Sequence, residues 1–156
     1  MSYYVRAFCK ATITPSFSEL QQHLSMQNKA YRLEGDTDEN NIHWTDFEFY
    51  YKEDKLPLLV ELNWCEEPES VGYEELEEFL EDIGSPGLSL KKRKVIRHLR
   101  ETKYIICAQF PVSNIDEDGY KAIDTFFKLF VDRYQALLHA DGEGFYYGDR
   151  IIPKNG

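Results

Sequence analysis

Three residues near the C-terminus, His139, Asp141 and Glu143, are separated by single residues. Successive side chains of a strand alternate between its faces, so an extended backbone would place all three on one face. An imidazole and two carboxylates could hold a divalent metal or share proton transfer, with His43 as a second imidazole from a neighbouring strand. A glycine follows each of the two carboxylates, which is just as typical of a solvated turn. Such a turn would not place the three side chains on one face.

A second acidic motif imitates the beginning of a calcium-binding loop. Asn114, Asp116 and Asp118 stand at alternate positions, and Gly119 occupies the place of the sharp bend. The position that should supply a bidentate glutamate holds Thr125. A strongly periodic helix follows at once, and acidic residues stabilise the N-terminus of a helix. Helix capping is therefore the favoured interpretation, and no calcium is expected.

The chain carries no signature of nucleophilic catalysis or cofactor binding. It contains no Gly-x-Ser-x-Gly elbow and no glycine-rich phosphate loop. Its three cysteines, Cys9, Cys65 and Cys107, are widely spaced and include no Cys-x-x-Cys pair. They are expected to be buried free thiols in a reducing compartment. The sequence predicts neither a catalytic residue nor a cofactor.

Charge is distributed unevenly along the 156 residues, whose formal net charge is −10. Residues 61–82 hold ten acidic residues and no lysine or arginine, whereas residues 91–103 hold seven of the 18 basic residues. The basic run could bind phosphate groups. The negative net charge of the whole chain repels nucleic acid, however, so a nucleic-acid partner is not expected. Alternatively, the two segments form helices that neutralise one another or solvate their outer faces.

Tyrosine is abundant and occurs in three doublets, Tyr3-Tyr4, Tyr50-Tyr51 and Tyr146-Tyr147. In a strand, one ring of each doublet points inward and the other outward. Exposed tyrosine suits protein recognition, because it offers a large contact area and a hydroxyl at little cost in side-chain entropy. The alternative is that helices cover both faces of the sheet and the rings belong to the core.

The location expected from the sequence is the cytoplasm. The longest apolar runs are far shorter than the roughly 20 residues that cross a bilayer. The N-terminus lacks a basic region followed by an apolar stretch, so a secretory signal is not expected.

Periodicity predicts alternating strands and helices. Strands are expected at 3–11, 30–34 and 104–112, a hairpin at 43–51 and 56–64, and a strand, turn and strand after Gly142; helices are expected at 17–26, 73–83, 90–101 and 117–138. The nearly continuous apolar segment 104–112 should lie in mid-sheet. The predicted fold is one α+β domain over residues 1–156. It has a largely antiparallel sheet of about five to seven strands, with three or four helices mainly on one face.

A possible internal repeat, here called the echo, links the two halves of the chain. His43 precedes Phe49-Tyr50-Tyr51 by the same interval as His139 precedes Phe145-Tyr146-Tyr147. This echo suggests pseudo-duplicated β-α-β-β halves. Chance coincidence in an aromatic-rich chain is the alternative, and no function depends on the echo.

The sequence favours a non-enzymatic intracellular protein that binds another protein, possibly a basic one, as acidic inhibitors bind basic targets. An antitoxin or immunity-like role fits this chemistry by analogy of charge alone. The expected contact residues are Glu74, Glu75, Glu77, Glu78, Tyr50 and Tyr146. The alternative is a small enzyme or metal-binding protein that uses His139, Asp141, Glu143 and His43. A homodimer formed by pairing of edge strands is a further possibility.

Overall fold

The computed structural model describes residues 2–35, 43–147 and 150–153. Most of the polar segment expected to be a loop, residues 35–41, lies outside these ranges. Along the chain the elements are β1 Ser2–Cys9, α1 Phe17–Gln27, β2 Arg32–Glu34, β3 Asp46–Tyr50, β4 Leu58–Trp64, α2 Val71–Ile83, α3 Leu90–Arg100, β5 Tyr104–Pro111, α4 Glu117–Arg133, β6 Ala136–Ala140, β7 Gly144–Tyr146 and β8 Arg150–Pro153.

The described strands form one antiparallel sheet in the order β2-β3-β4-β5-β1-β6-β7-β8. The predicted α+β class and antiparallel sheet are confirmed, and the short β8 brings the number of strands to eight. The predicted hairpin is formed by β3 and β4, in which Phe47 pairs with Val60. β5 lies between β4 and β1, as its continuous apolar sequence predicted.

The four helices divide equally between the two faces of the sheet, which corrects the expectation that most lie on one face. α1 and α4 cover a large core, the α1/α4 face, to which β1 contributes Val5, Ala7 and Cys9. α2 and α3 cover a smaller core, the α2/α3 face, to which β1 contributes Phe8. α2 and α3 connect two neighbouring antiparallel strands, and such a connection can lie on either face of the sheet. The apolar stripes of both helices must be buried, and the face opposite α1 and α4 is the one that no other described helix covers.

Each face keeps an uncovered region because the sheet is wider than a pair of helices. Eight strands about 4.8 Å apart span roughly 34 Å, whereas two helices packed 8–10 Å apart cover about 20 Å. On the α2/α3 face the uncovered region is at β2 and β3, where Glu34, Asp46 and Glu48 are exposed. On the α1/α4 face it is beside β7, next to a groove along α4.

The predicted helix 117–138 is too long, because its last residues form β6. Asp116 caps the helix as expected by accepting a hydrogen bond from the backbone N–H of Gly119 at 3.0 Å. The helix ends at Arg133, and Gln135 adopts a left-handed backbone with φ of +54°. After this turn Leu137 and Leu138 face opposite cores, an arrangement that only a strand permits.

The two halves share an order of elements but not the residues of the echo. Each half contains a strand, a helix and three further strands, with the helix on the α1/α4 face in both. Phe49 belongs to the α1/α4 core, whereas Phe145 belongs to the α2/α3 core. His43 precedes β3, whereas His139 lies within β6. The repeated His and Phe-Tyr-Tyr pattern is therefore not structurally equivalent.

The close contact between α2 and β4 predicts the effect of adding a single methyl group. A Cβ at Gly72 would lie 2.9 Å from the carbonyl carbon of Trp64, a backbone atom that cannot move aside. Gly72→Ala should lower the free energy of unfolding by about 2 kcal/mol, although alanine normally favours a helix over glycine. Urea denaturation followed by circular dichroism measures this loss. The adjacent, exposed Val71→Ala is the control and should change stability by less than about 0.5 kcal/mol; equal stability of the two variants would contradict this packing.

Candidate protein-binding surface

His139 is part of the sheet's packing. Its half-buried ring lies between Phe79 of α2 and Phe145 of β7, with ring centroids 4.8 Å and 4.7 Å away. Its buried Nδ1 has no hydrogen-bond partner among the residues that the structure describes. Burial, followed by the nearby Arg6 charge, lowers the pKa of His139 to about 4. A neutral imidazole in an aromatic cage belongs to the core.

The two carboxylates that accompany His139 in the sequence point to different partners. Asp141 to Glu143 form a turn directly after β6, so the predicted extended face is wrong. Asp141 accepts a hydrogen bond from Arg6 at 3.1 Å, whereas Glu143 accepts one from the Tyr3 hydroxyl at 3.1 Å. In the described ranges, no three His, Cys, Asp or Glu side chains are placed to share a metal ion.

His43 is also remote from this group. It is exposed and precedes β3, which lies four strand positions from β6, roughly 19 Å across the sheet. The structure therefore does not bring together the four residues of the alternative metal or catalytic site.

Arg6 of β1 holds the acidic helix α2 against the sheet. Its guanidinium pairs with Glu75 of α2 and, through Nη1, with Asp141 at 3.1 Å. It also lies over the rings of Tyr4 and Phe79, 5.1 Å and 5.3 Å from their centroids. Glu75, one of the predicted contact residues, therefore points inward and positions α2.

The remaining carboxylates of α2 form an exposed row, here called the acidic stripe. Glu74, Glu77, Glu78 and Glu81 are all exposed, and their spacing of three and four residues aligns them on one side of the helix. Among the residues that the structure describes, none of the four has a cation within 4.0 Å. Three of the four predicted glutamates thus lie on a solvent-facing surface without a charge partner there.

α3 carries a corresponding basic stripe of Arg93, Lys94, Arg97 and Arg100, all exposed. Arg93 donates to the carbonyl of Gly87 at 2.8 Å, and Lys94 lies 4.6 Å from the centre of the Tyr147 ring. α2 and α3 pack beside each other. Even so, within the described part of the chain no ion pair within 4.0 Å joins the two stripes. The charged helices do not pair with each other.

A buried histidine fixes the position of α3. His98 Nε2 lies 2.7 Å from the carbonyl oxygen of Phe8, and its Nδ1 meets the Tyr147 hydroxyl. Burial lowers the pKa of His98. In the neutral form one nitrogen donates to the carbonyl and the other accepts from the hydroxyl. This arrangement ties α3 to β1 while its basic stripe faces solvent.

The uncovered part of the α2/α3 face forms a second acidic region, here called the acidic sheet face. It consists of Glu34, Asp46, Glu48 and Glu61, all exposed, around Leu59, which is 45% exposed. They border a shallow depression of about 510 Å³. The strand register sets Glu34 opposite Glu48 and Asp46 opposite Glu61. Like charges at opposite positions destabilise a sheet. Glu34 pairs with Arg32 at 3.3 Å, whereas Asp46, Glu48 and Glu61 have no cation within 4.0 Å in the described part of the chain, so a cationic partner would relieve their repulsion.

The acidic sheet face is not evident from the sequence, because its members are scattered over residues 34–61. Only pairing of three strands brings them together. The available signal was the alternation of acidic and buried apolar residues in β3, whose outward positions are Asp46 and Glu48.

The two predicted contact tyrosines lie on opposite faces of the sheet. Tyr50 ends β3 beside the acidic sheet face, where its hydroxyl donates to Glu48 at 2.9 Å and Arg32 lies 4.7 Å from its ring centre. Tyr146 lines the groove beside α4 on the α1/α4 face. One flat contact cannot include both, and only Tyr50 lies on the same face as the acidic stripe.

Comparison with protein families, with curated proteins and with solved structures finds no match for this chain, so its function must be argued from its own surfaces. No helix in the described residues has the length and apolar character needed to cross a membrane. The three cysteines are buried and free, as expected. Burial raises the pKa of Cys65 and of Cys107 to about 12, so both are protonated at neutral pH.

The aromatic cage of His139 predicts a specific loss of stability in acid. The pKa of this group is about 4 in the folded chain and 6.5 in the reference state, so between these values the unfolded chain binds more protons. The contribution of His139 to folding should therefore fall as the pH falls from 6.5 to about 4.

Urea denaturation at several pH values measures this dependence. In His139→Phe and His139→Gln, the free energy of unfolding should depend less on pH than in the wild type, and by the same amount in both. Each substitution removes the imidazole that titrates. Their stabilities at neutral pH should differ, because only phenylalanine replaces the ring. If the free energy of unfolding of both variants depended on pH as strongly as that of the wild type, His139 would not be the group responsible.

Proposed function

We propose that this is a non-enzymatic intracellular binding protein that recognises a basic protein through the acidic stripe and the adjoining acidic sheet face. The observation that carries the proposal is the row of four exposed α2 carboxylates with no cation within 4.0 Å in the described ranges. Arg6, the nearest paired arginine, is occupied by Glu75 and Asp141. The outward charge of α2 is thus available to a partner.

The two acidic regions lie on the same face of the sheet. Glu61 of β4 pairs in register with Cys107 of β5, which in turn pairs with Arg6. Since Arg6 binds Glu75, Glu61 lies two strands away from the residue that holds α2 on the sheet. A surface of one sign accelerates association with a partner of the opposite sign and rejects partners of its own sign.

Apolar contacts supply binding free energy that exposed charges alone do not. Exposed ion pairs each contribute at most about 1 kcal/mol and are screened by salt. Leu59 lies within the acidic sheet face and the half-buried Tyr50 lies beside it. Both offer apolar contact area, and tyrosine is typical of interface centres. We therefore expect a partner that presents lysine or arginine around an apolar contact, a pattern in keeping with an antitoxin-like or immunity-like inhibitor.

A charge-reversal pair with a matched control tests the role of α2. Glu77→Lys with Glu78→Lys reverses two charges of the acidic stripe, and Glu53→Lys with Asp54→Lys reverses two in the exposed turn between β3 and β4. Both double variants change the net charge equally and leave the Glu75 pair with Arg6 intact. Each is used as bait in an extract of the native host, and the retained partner is titrated by calorimetry.

The stripe variant should lose the partner, with binding weakened at least about tenfold, while the turn variant should retain it. Equal loss in both would mean that only overall charge matters. Retention in both would contradict a role for the acidic stripe.

A second copy of the chain is a specific candidate for the basic partner. The basic stripe of α3 matches the acidic stripe in number of charges and in helical spacing. About a two-fold axis, α2 of each copy would meet α3 of the other, so every contact would form twice. Such a dimer would use the α2/α3 face rather than the edge strands.

A charge exchange tests the dimer directly. Sedimentation at low ionic strength should show self-association of the wild type that is lost on adding salt. Glu77→Lys/Glu78→Lys and Lys94→Glu/Arg97→Glu should each be monomeric alone and should associate when mixed. A wild type that is monomeric at every concentration would exclude the dimer and leave the acidic stripe for a different protein.

A further inference from the structure

A groove of about 810 Å³ lies on the α1/α4 face, on the opposite side of the sheet from the acidic stripe. One wall is α4, and the floor comes from β1, β6 and β7. It exists because the two helices of this face do not reach β7. Its volume is within the range of pockets that hold small organic molecules.

The floor and walls of the groove are apolar and aromatic. Ile123 and Phe127 contribute from α4, and Leu138 contributes from β6. Tyr3 packs against Phe110 with ring centroids 5.1 Å apart, and Tyr120, which is 48% exposed, packs against the same Phe110 at 5.9 Å. Tyrosine faces on a groove wall can contact both an apolar body and a cation.

Two carboxylates of the groove lack a cationic partner. Asp124 and Glu143 have no cation within 4.0 Å in the described part of the chain, and Glu143 accepts only the Tyr3 hydroxyl. Lys128, one turn beyond Asp124 on α4, pairs instead with Asp132 at 2.9 Å. Exclusion of water by the lining side chains and the charge of Glu143 raise the pKa of Asp124. Both carboxylates line the same groove.

We propose that this groove binds a small organic cation with an apolar or aromatic body, whose ammonium group lies between Asp124 and Glu143. An anion would be repelled by both carboxylates. A neutral ligand would remove water from them without supplying a charge, which is costly. An ammonium group offers three donors and relieves the repulsion, while its apolar body replaces water over Phe127 and Leu138.

The site is independent of the proposed protein partner, because it lies on the other face of the sheet and shares no residue with the acidic stripe. Either activity can fail without affecting the other.

Three probes with a common indole body test the charge requirement. Tryptamine is cationic, tryptophol is its neutral counterpart and indole-3-acetate is anionic. Each is titrated into ¹⁵N-labelled protein at neutral pH, and the backbone amide shifts locate the site. Tryptamine should bind saturably with shifts at α4, β6 and β7, tryptophol should bind at least about tenfold more weakly, and indole-3-acetate should not bind.

Isosteric variants then test the two carboxylates. Asp124→Asn and Glu143→Gln should each weaken tryptamine binding about tenfold and leave tryptophol unchanged. Asp54→Asn, in the exposed turn after β3, removes the same charge outside the groove and should leave tryptamine binding unchanged. Equal affinity for tryptamine and tryptophol, shifts outside the groove, absence of saturable binding, or wild-type affinity in both carboxylate variants would each overturn the proposal.

Discussion

The ion pairs of Arg6 determine how the charged surface of this protein is arranged. Arg6 lies on β1, near the centre of the sheet, and binds Glu75 of α2 and Asp141 of the turn after β6. Removing one partner of such a partly buried pair leaves an uncompensated charge, which is strongly destabilising. α2 buries Leu76 and holds Glu75 against Arg6, while Glu74, Glu77, Glu78 and Glu81 face solvent. The contacts that dock α2 on the sheet therefore leave a row of four carboxylates exposed.

A second constraint is the mismatch between an eight-stranded sheet and two helices on each face. The helices of the two faces are displaced toward opposite edges, so the uncovered regions lie at β2 and β3 on one face and beside β7 on the other. Among the described residues, both uncovered regions carry carboxylates with no cation within 4.0 Å, beside tyrosine and aliphatic side chains. The same geometric cause thus produces both surfaces for which we propose ligands, the broad acidic surface and the narrower groove.

Local pattern predicted most strands and helices but could not assign them to faces or partners. The apolar run of β5 and the alternation of β3 and β4 identified a central strand and a hairpin, because burial imposes those patterns directly. Leu137 and Leu138 fit a helical and a strand period equally, so the end of α4 and the start of β6 were missed. Nothing in the neighbouring sequence shows that Glu75 points inward and Glu74 outward. The acidic sheet face and the cage of His139 depend on tertiary pairing, which spacing along the chain does not record.

We propose that recognition of a basic partner takes place at the acidic stripe and the acidic sheet face. Hydrogen exchange of the backbone amides, measured with and without the captured partner, tests it most directly. We expect slower exchange in α2, β2, β3 and β4 and unchanged exchange in α4. Protection confined to α4, β6 and β7, with α2 unchanged, would contradict it.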